Sequence, residues 1–328
     1  MSDQIALVTG ASGHIGANLV RLLLTEGYQV KALVHVDQKA LIGLEVATIN
    51  CDLLDESGLI KAFDGVDTVF HCAARIAIYK PMEEGMLKVN IDGTRNVLKA
   101  AFKMGVKRVV HFSSIHALKA EPEEEVIDES RALVTESCQM LYDFSKAESE
   151  RLVLKAVADG LDAVILNPTA VIGPYDFKPS LLGTFILGLS KGAIPALVKG
   201  GFNWVDVRDV AQGALAAARK GRRGERYLLA GHWKEIADLA QIVCGFQGRQ
   251  APQLLLPDWL ARLGIPLIEL LAMLRGKNPL FTRDSLTTLK HHRLISAQKA
   301  STELGFTARP LSLTIKDTLD WFKEEGYL

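Results

Sequence analysis

Short apolar runs punctuate the first half of the chain at 4–9, 29–34, 46–50, 67–72, 107–113 and 162–167, rich in Val, Ile and Leu. Between most of them lie longer stretches in which apolar residues return every three or four positions, notably 14–26, 85–104 and 143–160. A continuous apolar run suits a strand covered on both faces, and a three-to-four repeat suits a helix with one buried side. Regular strand–helix alternation predicts an α/β fold with a parallel, doubly wound sheet. Ligands in such sheets sit at the carboxyl ends of the strands. After about residue 175 the pattern loosens: Pro and Gly become frequent, helices dominate, and short strands at 196–198, 225–229 and 252–256 stand isolated.

The first strand runs into TGASGHIGANLV, with Gly10, Gly13 and Gly16 three apart and helical spacing after them (Leu19, Val20, Leu23, Leu24). Glycine permits positive φ and close approach of a ligand to the backbone. The helix behind it offers unpaired N–H groups and a positive dipole end, which suit a pyrophosphate. This predicts a dinucleotide-binding turn, with Ser12, His14 and Ile15 beside the three glycines. A tight strand-to-helix turn without a ligand would look the same locally. The organisation expected is a Rossmann-type unit over 1–175, with 205–232 returning to it. A smaller, mostly helical substrate-binding region would cover 176–204 and 233–328.

The other strand ends add detail. The second strand ends at Val34-His35. An acid there would bind the adenosine ribose and favour NAD. Val34 cannot, whereas His35, Lys31 and Lys39 can meet a 2′-phosphate. NADP(H) is therefore favoured over NAD(H), with Asp37 close enough to bind the ribose instead. Asp52 and Leu53 end the third strand: Asp52 either accepts from the adenine amino group or caps the helix starting near Asp55. Ala73 and Ala74 end the fourth, small enough for a flat cofactor to lie on the backbone. Asn90, in VNIDGTRNVL, is an unfavoured residue for a helix and reads as a hydrogen-bond tie.

The fifth strand ends in Ser113-Ser114, and YDFSK later opens a helix. Tyr142 and Lys146 are four apart and share a helix face. A free tyrosine, with a pKa near ~10, is a poor base at neutral pH, and a nearby ammonium lowers that value. Ser114 as positioner, Tyr142 as acid–base and Lys146 as its tuner suit carbonyl and alcohol chemistry.

The bulk numbers fit this reading. The 328 residues are 48% hydrophobic and 23% charged, as in ordinary globular proteins, and the 38 basic residues balance the 38 acidic ones. A zero balance argues against a general nucleic-acid or membrane-surface binder. With the first strand starting at about the fourth residue, no leader peptide is expected. The longest apolar stretch, Leu254 to Leu274, is broken by Pro257, Asp258, Arg262, Pro266 and Glu269, so no membrane span is expected. Cys51, Cys72, Cys138 and Cys244 lack metal-ligand spacing and are expected as reduced thiols in a cytoplasmic protein.

TGASGHIG, CDL, HCAA, VNIDGTRNVL, FSS, YDFSK, NPTAVIGP, WVDVRDVA and the tail ELGFTARPLSLTIKDTLDWF together resemble the extended short-chain dehydrogenase/reductases, the NAD-dependent epimerase/dehydratase family. The resemblance covers nearly the whole chain. It implies that Ser114, Tyr142 and Lys146 are catalytic, that Lys146 also holds the nicotinamide ribose, and that Pro168, Thr169 and Val171 line the nicotinamide. The family's sugar-nucleotide dehydratases carry Asp-Glu where this chain has Ile115-His116. Its epimerases usually place an arginine where this chain has Gly201-Phe202-Asn203-Trp204. NPTAVIGP and the apolar 254–274 segment are similar to the dihydroflavonol reductase, cinnamoyl-CoA reductase and hydroxysteroid dehydrogenase branch. The expectation is an NADP(H)-dependent reductase of a bulky, rather apolar ketone or aldehyde, with Tyr79 and His116 as pocket residues. A sugar-nucleotide epimerase, an NAD-dependent hydroxysteroid-type dehydrogenase and a non-catalytic NADP sensor are the alternatives. Apolar residues beyond one stripe on 85–104 and 143–160 fit a homodimer through a four-helix bundle, or burial within the monomer.

Overall fold

The computed structural model describes residues 4–76, 83–135, 140–257, 259–265, 283–289 and 291–328. The strands are β1 (Ile5–Thr9), β2 (Gln29–Val34), β3 (Ala47–Asn50), β4 (Thr68–His71), β5 (Arg108–Phe112), β6 (Ala163–Pro168), β7 (Ala170–Ile172), β8 (Ala196–Val198), β9 (Gly201–Asp206), β10 (Arg226–Leu229), β11 (His232–Glu235) and β12 (Leu254–Leu256). The helices used below are α1 (His14–Thr25), α2 (Glu56–Ala62), α3 (Glu83–Leu87), α4 (Gly93–Lys103), α5 (Leu141–Ala158), α6 (Leu181–Ser190), α7 (Val207–Lys220) and α8 (Ile236–Phe246), followed by a C-terminal helix, Leu311–Glu324.

Seven parallel strands form the main sheet in the order β10-β6-β5-β4-β1-β2-β3. The period of two within β1 explains its apolar run. Ala6 and Val8 face a core shared with α1 and α7, where Leu19, Val20, Val210 and Ala214 are buried. Leu7 faces the opposite core, with Phe63 beside α2, Val97 on α4 and Val153 on α5. Both faces are covered, so the strand has no polar side. The order reverses at β1, whose neighbours are β2 and β4, and this switch opens a crevice at their carboxyl ends.

The six strands expected in the first half form as β1 to β6. The isolated state expected for 225–229 is corrected: β10 closes the edge of the main sheet by pairing with β6, Leu229 opposite Pro168. The segments 196–198 and 252–256 are not isolated either, since β8 pairs with β12. A further three-stranded sheet, β11-β9-β7, had no clear signal. β7 is only three residues long, and β11 carries the polar, largely exposed sequence HWKE. These strands pack over a second core built from α6, α8 and the C-terminal helix, with Phe185, Leu239, Ile315 and Phe322 buried. Among the described residues no helix is long and apolar enough to cross a membrane.

Candidate active site

The glycine turn forms where β1 meets the crevice. Gly10 has φ +66°, and a Cβ there would lie 2.7 Å from the Ala73 Cα, so the turn and the end of β4 touch backbone to backbone. Gly16 lets α1 press on the turn, because its Cβ would fall 2.2 Å from the Gly10 carbonyl oxygen. Gly13 differs: it is exposed, has ordinary φ, and its Cβ would meet only the Gly10 carbonyl, at 3.2 Å. It caps α1 without a side chain, and the first turn holds no acid. By contrast Asp55, Ser180 and Asp206 cap α2, α6 and α7. The N–H groups at the start of α1 therefore fit an anion, with Ser12 and Ile15 half-buried beside them. The His14 ring is committed elsewhere, with Nε2 at 3.2 and 3.1 Å from the Gly173 and Pro174 carbonyls, so it braces α1 against the loop after β7.

A directed hydrogen-bond train underlies the crevice. The Thr94 hydroxyl donates to the Asn90 carbonyl, so its oxygen accepts from His71 Nε2 at 3.0 Å. Burial, then the Lys146 charge, lowers the His71 pKa to about 3, so the ring is neutral and its Nδ1 accepts from the Thr9 hydroxyl at 2.8 Å. Thr9 Oγ1 in turn accepts from the Ala73 amide at 3.2 Å. This fixes Ala73 and Ala74 at the end of β4. Asn90, buried in a π-turn, accepts from the Arg75 amide and donates to the Arg75 carbonyl and Ser145 Oγ, tying the chain after β4 to α5.

At the adenosine end, His35 and Asp37 are exposed, and Asp37 accepts from the Lys39 amide. Lys31 donates to the Asp64 carbonyl, and Lys39 pairs with Glu325 and Tyr327. Neither lysine is thus directed to the end of β2. Asp52 is exposed and accepts from the Leu54 amide, while the cap of α2 is Asp55. Leu53 is buried, and its carbonyl accepts from Asn96.

Ser114, Tyr142 and Lys146 converge beyond the end of β5. Ser114 caps a short 3₁₀ turn, Ile115–Ala117, accepting from the His116 amide at 3.2 Å, and its hydroxyl acts on the Tyr142 phenol to favour the ionised form. Burial pushes the Tyr142 pKa up to about 12, opposed by the Ser114 hydroxyl and aided by the Asp143 carboxylate. The lowering expected from Lys146 is therefore corrected: desolvation dominates, and the phenol is protonated at neutral pH. Lys146 Nζ donates to the Phe112 carbonyl at 2.9 Å, and burial lowers its pKa to about 8. Its charge is felt instead at His71, His111 and Cys72.

Partners far along the chain hold this group. Asn167, at the end of β6, donates to the Ser114 carbonyl at 2.9 Å and to Glu150 on α5. Glu150 is fully buried and takes two hydrogen bonds from Arg226 of β10. Pro168 is buried, while Thr169 donates to Asn203 Oδ1 at 3.1 Å and Val171 packs half-buried on β7. Asn203 Oδ1 also accepts from the Gly231 amide, so this residue knits β9 to the turn before β11. His116 lies beside Tyr142, ring centroids 6.2 Å apart, and its Nδ1 is 3.5 Å from Asp143 Oδ1. The pairs Asp143–His116 and Glu150–Arg226 had no sequence signal, because their members come from separate elements. Tyr79 and Cys138 lie outside the described residues. Cys51, Cys72 and Cys244 are free thiols.

A doubly wound parallel sheet with an uncapped glycine turn at its switch point defines a dinucleotide-binding α/β protein. The model of the NAD dependent epimerase/dehydratase family matches residues 6–230. This chain belongs to that family, the extended short-chain dehydrogenase/reductases, and is a nicotinamide-dependent enzyme. It is 36% identical over 98% of its length to sterol demethylase protein B of Methylococcus capsulatus, covering 99% of that protein. It is 34% identical to a putative dihydroflavonol 4-reductase of Synechocystis, covering 98% of this chain and 95% of that one. The crystal structure of gox2253 superposes with a TM-score of 0.86 at 33% identity, covering 99% of both chains.

Proposed function

We propose that this enzyme reduces a bulky, rather apolar ketone or aldehyde, and oxidises the corresponding alcohol in reverse, using NADP(H) in preference to NAD(H). The observation that carries the reading is the buried Tyr142 phenol, kept protonated by burial beside Ser114 beyond the end of β5. A protonated phenol is an acid, which reduction of a carbonyl requires. The relatives named as reductases support the same reaction class, and the lack of an arginine at 201–204 argues against a sugar-nucleotide epimerase.

The roles follow from position. Ser114 holds the substrate oxygen beside the phenol, and Tyr142 gives that oxygen its proton. Lys146 stays cationic below its pKa of about 8 and orients the nicotinamide ribose. When bound, the reduced nicotinamide supplies the hydride that the carbonyl carbon accepts. Gly10, Ser12, Gly13, Ile15 and Gly16 with the His14 backbone would hold the pyrophosphate. His35 would meet the 2′-phosphate, Asp52 and Leu53 the adenine, and Ala73, Ala74, Pro168, Thr169 and Val171 the remainder. In this reading 1–175 with 205–232 binds the cofactor, and 176–204 with 233–328 shapes the pocket. We take the protein as cytoplasmic, and as a homodimer through α4 and α5, where Phe102 and Leu154 stand exposed.

The test is a cofactor-oxidation screen of aromatic ketones, aldehydes, β-keto esters and steroids with NADPH and NADH in parallel. Turnover of at least one apolar carbonyl is expected. Epimerisation of a nucleotide sugar without net cofactor change, and no carbonyl reduction, would overturn the reading.

A further inference from the structure

The hydroxyl of Tyr142 has given up its proton after each reduction, and the phenolate must recover one. Lys146 is directed at the Phe112 carbonyl. Among the described residues, the ring of His116 lies edge-on to the phenol ring, 6.2 Å between centroids. His116 Nδ1 faces Asp143 Oδ1 at 3.5 Å, and both are buried atoms without a hydrogen bond. Asp143 follows Tyr142 directly in the first turn of α5, so one helix end fixes both the acid and the carboxylate.

The third neighbour is His292, whose ring centroid is 5.1 Å from that of His116. A carbonyl can only accept, so the contact of His292 Nε2 with the Leu118 carbonyl at 3.3 Å places the hydrogen on Nε2 and leaves Nδ1 a bare lone pair. Burial, with the charges of His116, His291 and Arg131 around it, lowers the His292 pKa to about 3. The segment holds His292 at φ +56°, in the left-handed region, to seat the ring there. Two adjoining imidazoles resist sharing charge. Asp143 stands beside His116, whereas Arg131 and His291 oppose a proton on His292, so of the two rings His116 is the one with a carboxylate against it. The His116 side chain is 20% exposed, which connects it to water.

Resting on the reductase reading, we propose that His116, oriented by Asp143, resupplies the proton that Tyr142 donates. The substrate oxygen takes the Tyr142 proton as the carbonyl carbon takes the hydride. The phenolate then takes a proton from the His116 imidazolium, and neutral His116 takes one from water.

The first turnover starts with Tyr142 protonated and needs no resupply. In rapid mixing of the NADPH-loaded enzyme with the best carbonyl probe of the screen, His116→Gln should keep the first-turnover burst within about 2-fold. Its steady-state rate should fall at least ~10-fold, within the usual scale for a proton-transfer residue. Free imidazole in the buffer should restore that rate in proportion to its concentration. Asp143→Asn should give a smaller fall in the same phase. An unchanged steady-state rate, or a burst and steady state that fall together without imidazole rescue, overturns the proposal. In ¹⁵N-histidine spectra of the protein alone, Asp143→Asn should shift the His116 Nδ1 resonance, and no shift overturns the pairing. Tyr142→Phe is the separate control: retention of its burst would overturn the reductase reading itself, whatever His116 does.

Discussion

Lys146 Nζ donates to the Phe112 carbonyl oxygen at 2.9 Å, which anchors the ammonium of α5 against the end of β5. The residue is buried, and its pKa falls from 10.5 to about 8 because burial penalises the charge. Between those values the unfolded chain keeps a proton that the native chain has lost, so this group makes stability rise with pH from about 8 to about 10.5. Below pH 8 the buried charge costs stability. Lys146→Met should therefore match or exceed wild-type stability at pH 7 while losing activity, since an apolar residue of similar length removes the cost. Urea titrations of both proteins at pH 7 and 10 check this. A variant much less stable at pH 7, or one whose gap from wild type does not shrink by pH 10, contradicts the assignment.

Tyr142→Phe removes the proton that burial keeps on the phenol and leaves the ring. Carbonyl reduction should fall at least ~10²-fold, while NADPH affinity stays within a few-fold. More than about half of wild-type activity under chemistry-limited conditions would show that another group supplies the proton.

The glycine turn separates two roles. Gly10→Ala would place a Cβ 2.7 Å from the Ala73 Cα at a residue with φ +66°, and should cost about 2 kcal/mol or more of stability. Gly13 is exposed with ordinary φ, so Gly13→Val should fold normally yet lose cofactor binding in calorimetric titration. A folded Gly13→Val protein with wild-type affinity would place the phosphates elsewhere.

On the proposed NADP(H) reading His35 would carry the cofactor preference, because Val34 offers no carboxylate and Lys31 and Lys39 are engaged elsewhere. A single imidazole facing a 2′-phosphate should give a modest NADPH preference, on the order of tenfold in kcat/KM or about 1.4 kcal/mol. His35→Arg should enlarge it and His35→Asp should reverse it. A wild type that prefers NADH, with Asp37→Ala abolishing the preference, would give the ribose to the loop acid.

Three buried histidines make the fold sensitive to acid. Burial lowers the pKa of His71 and His292 to about 3 and that of His111 well below its usual 6.5. Native rings stay neutral where the unfolded chain takes protons, so their stabilising contribution is complete above ~6.5 and is lost as pH falls toward 3. The melting temperature should drop steeply over that range. Both ring nitrogens of His111 are buried without a protein partner, so His111→Leu should flatten the drop and raise the melting temperature at pH 5. Equal acid slopes in the two proteins would show that His111 does not contribute.

The sequence by itself determined the strands β1 to β6, the turn at Gly10, and the placing of Ser114 and Tyr142 at element ends. Each of these is a local signal: an apolar run, a helical repeat, a glycine where φ is positive, or two residues one helix turn apart. Tertiary structure decided the rest. Whether Arg226–Leu229 stood alone or closed the main sheet depended on Leu166 and Asn167 being its neighbours, and a four-residue strand carries no mark of its partner. The direction of the Tyr142 shift was also a tertiary matter. The four-residue spacing puts an ammonium on the same helix face, but Lys146 turns to Phe112 and desolvation by surrounding elements sets the direction. The meeting of His116, Asp143 and His292 joins a 3₁₀ turn, a helix start and a distant loop. Only the folded chain brings these together, because packing, not spacing, sets contacts between residues so far apart along it.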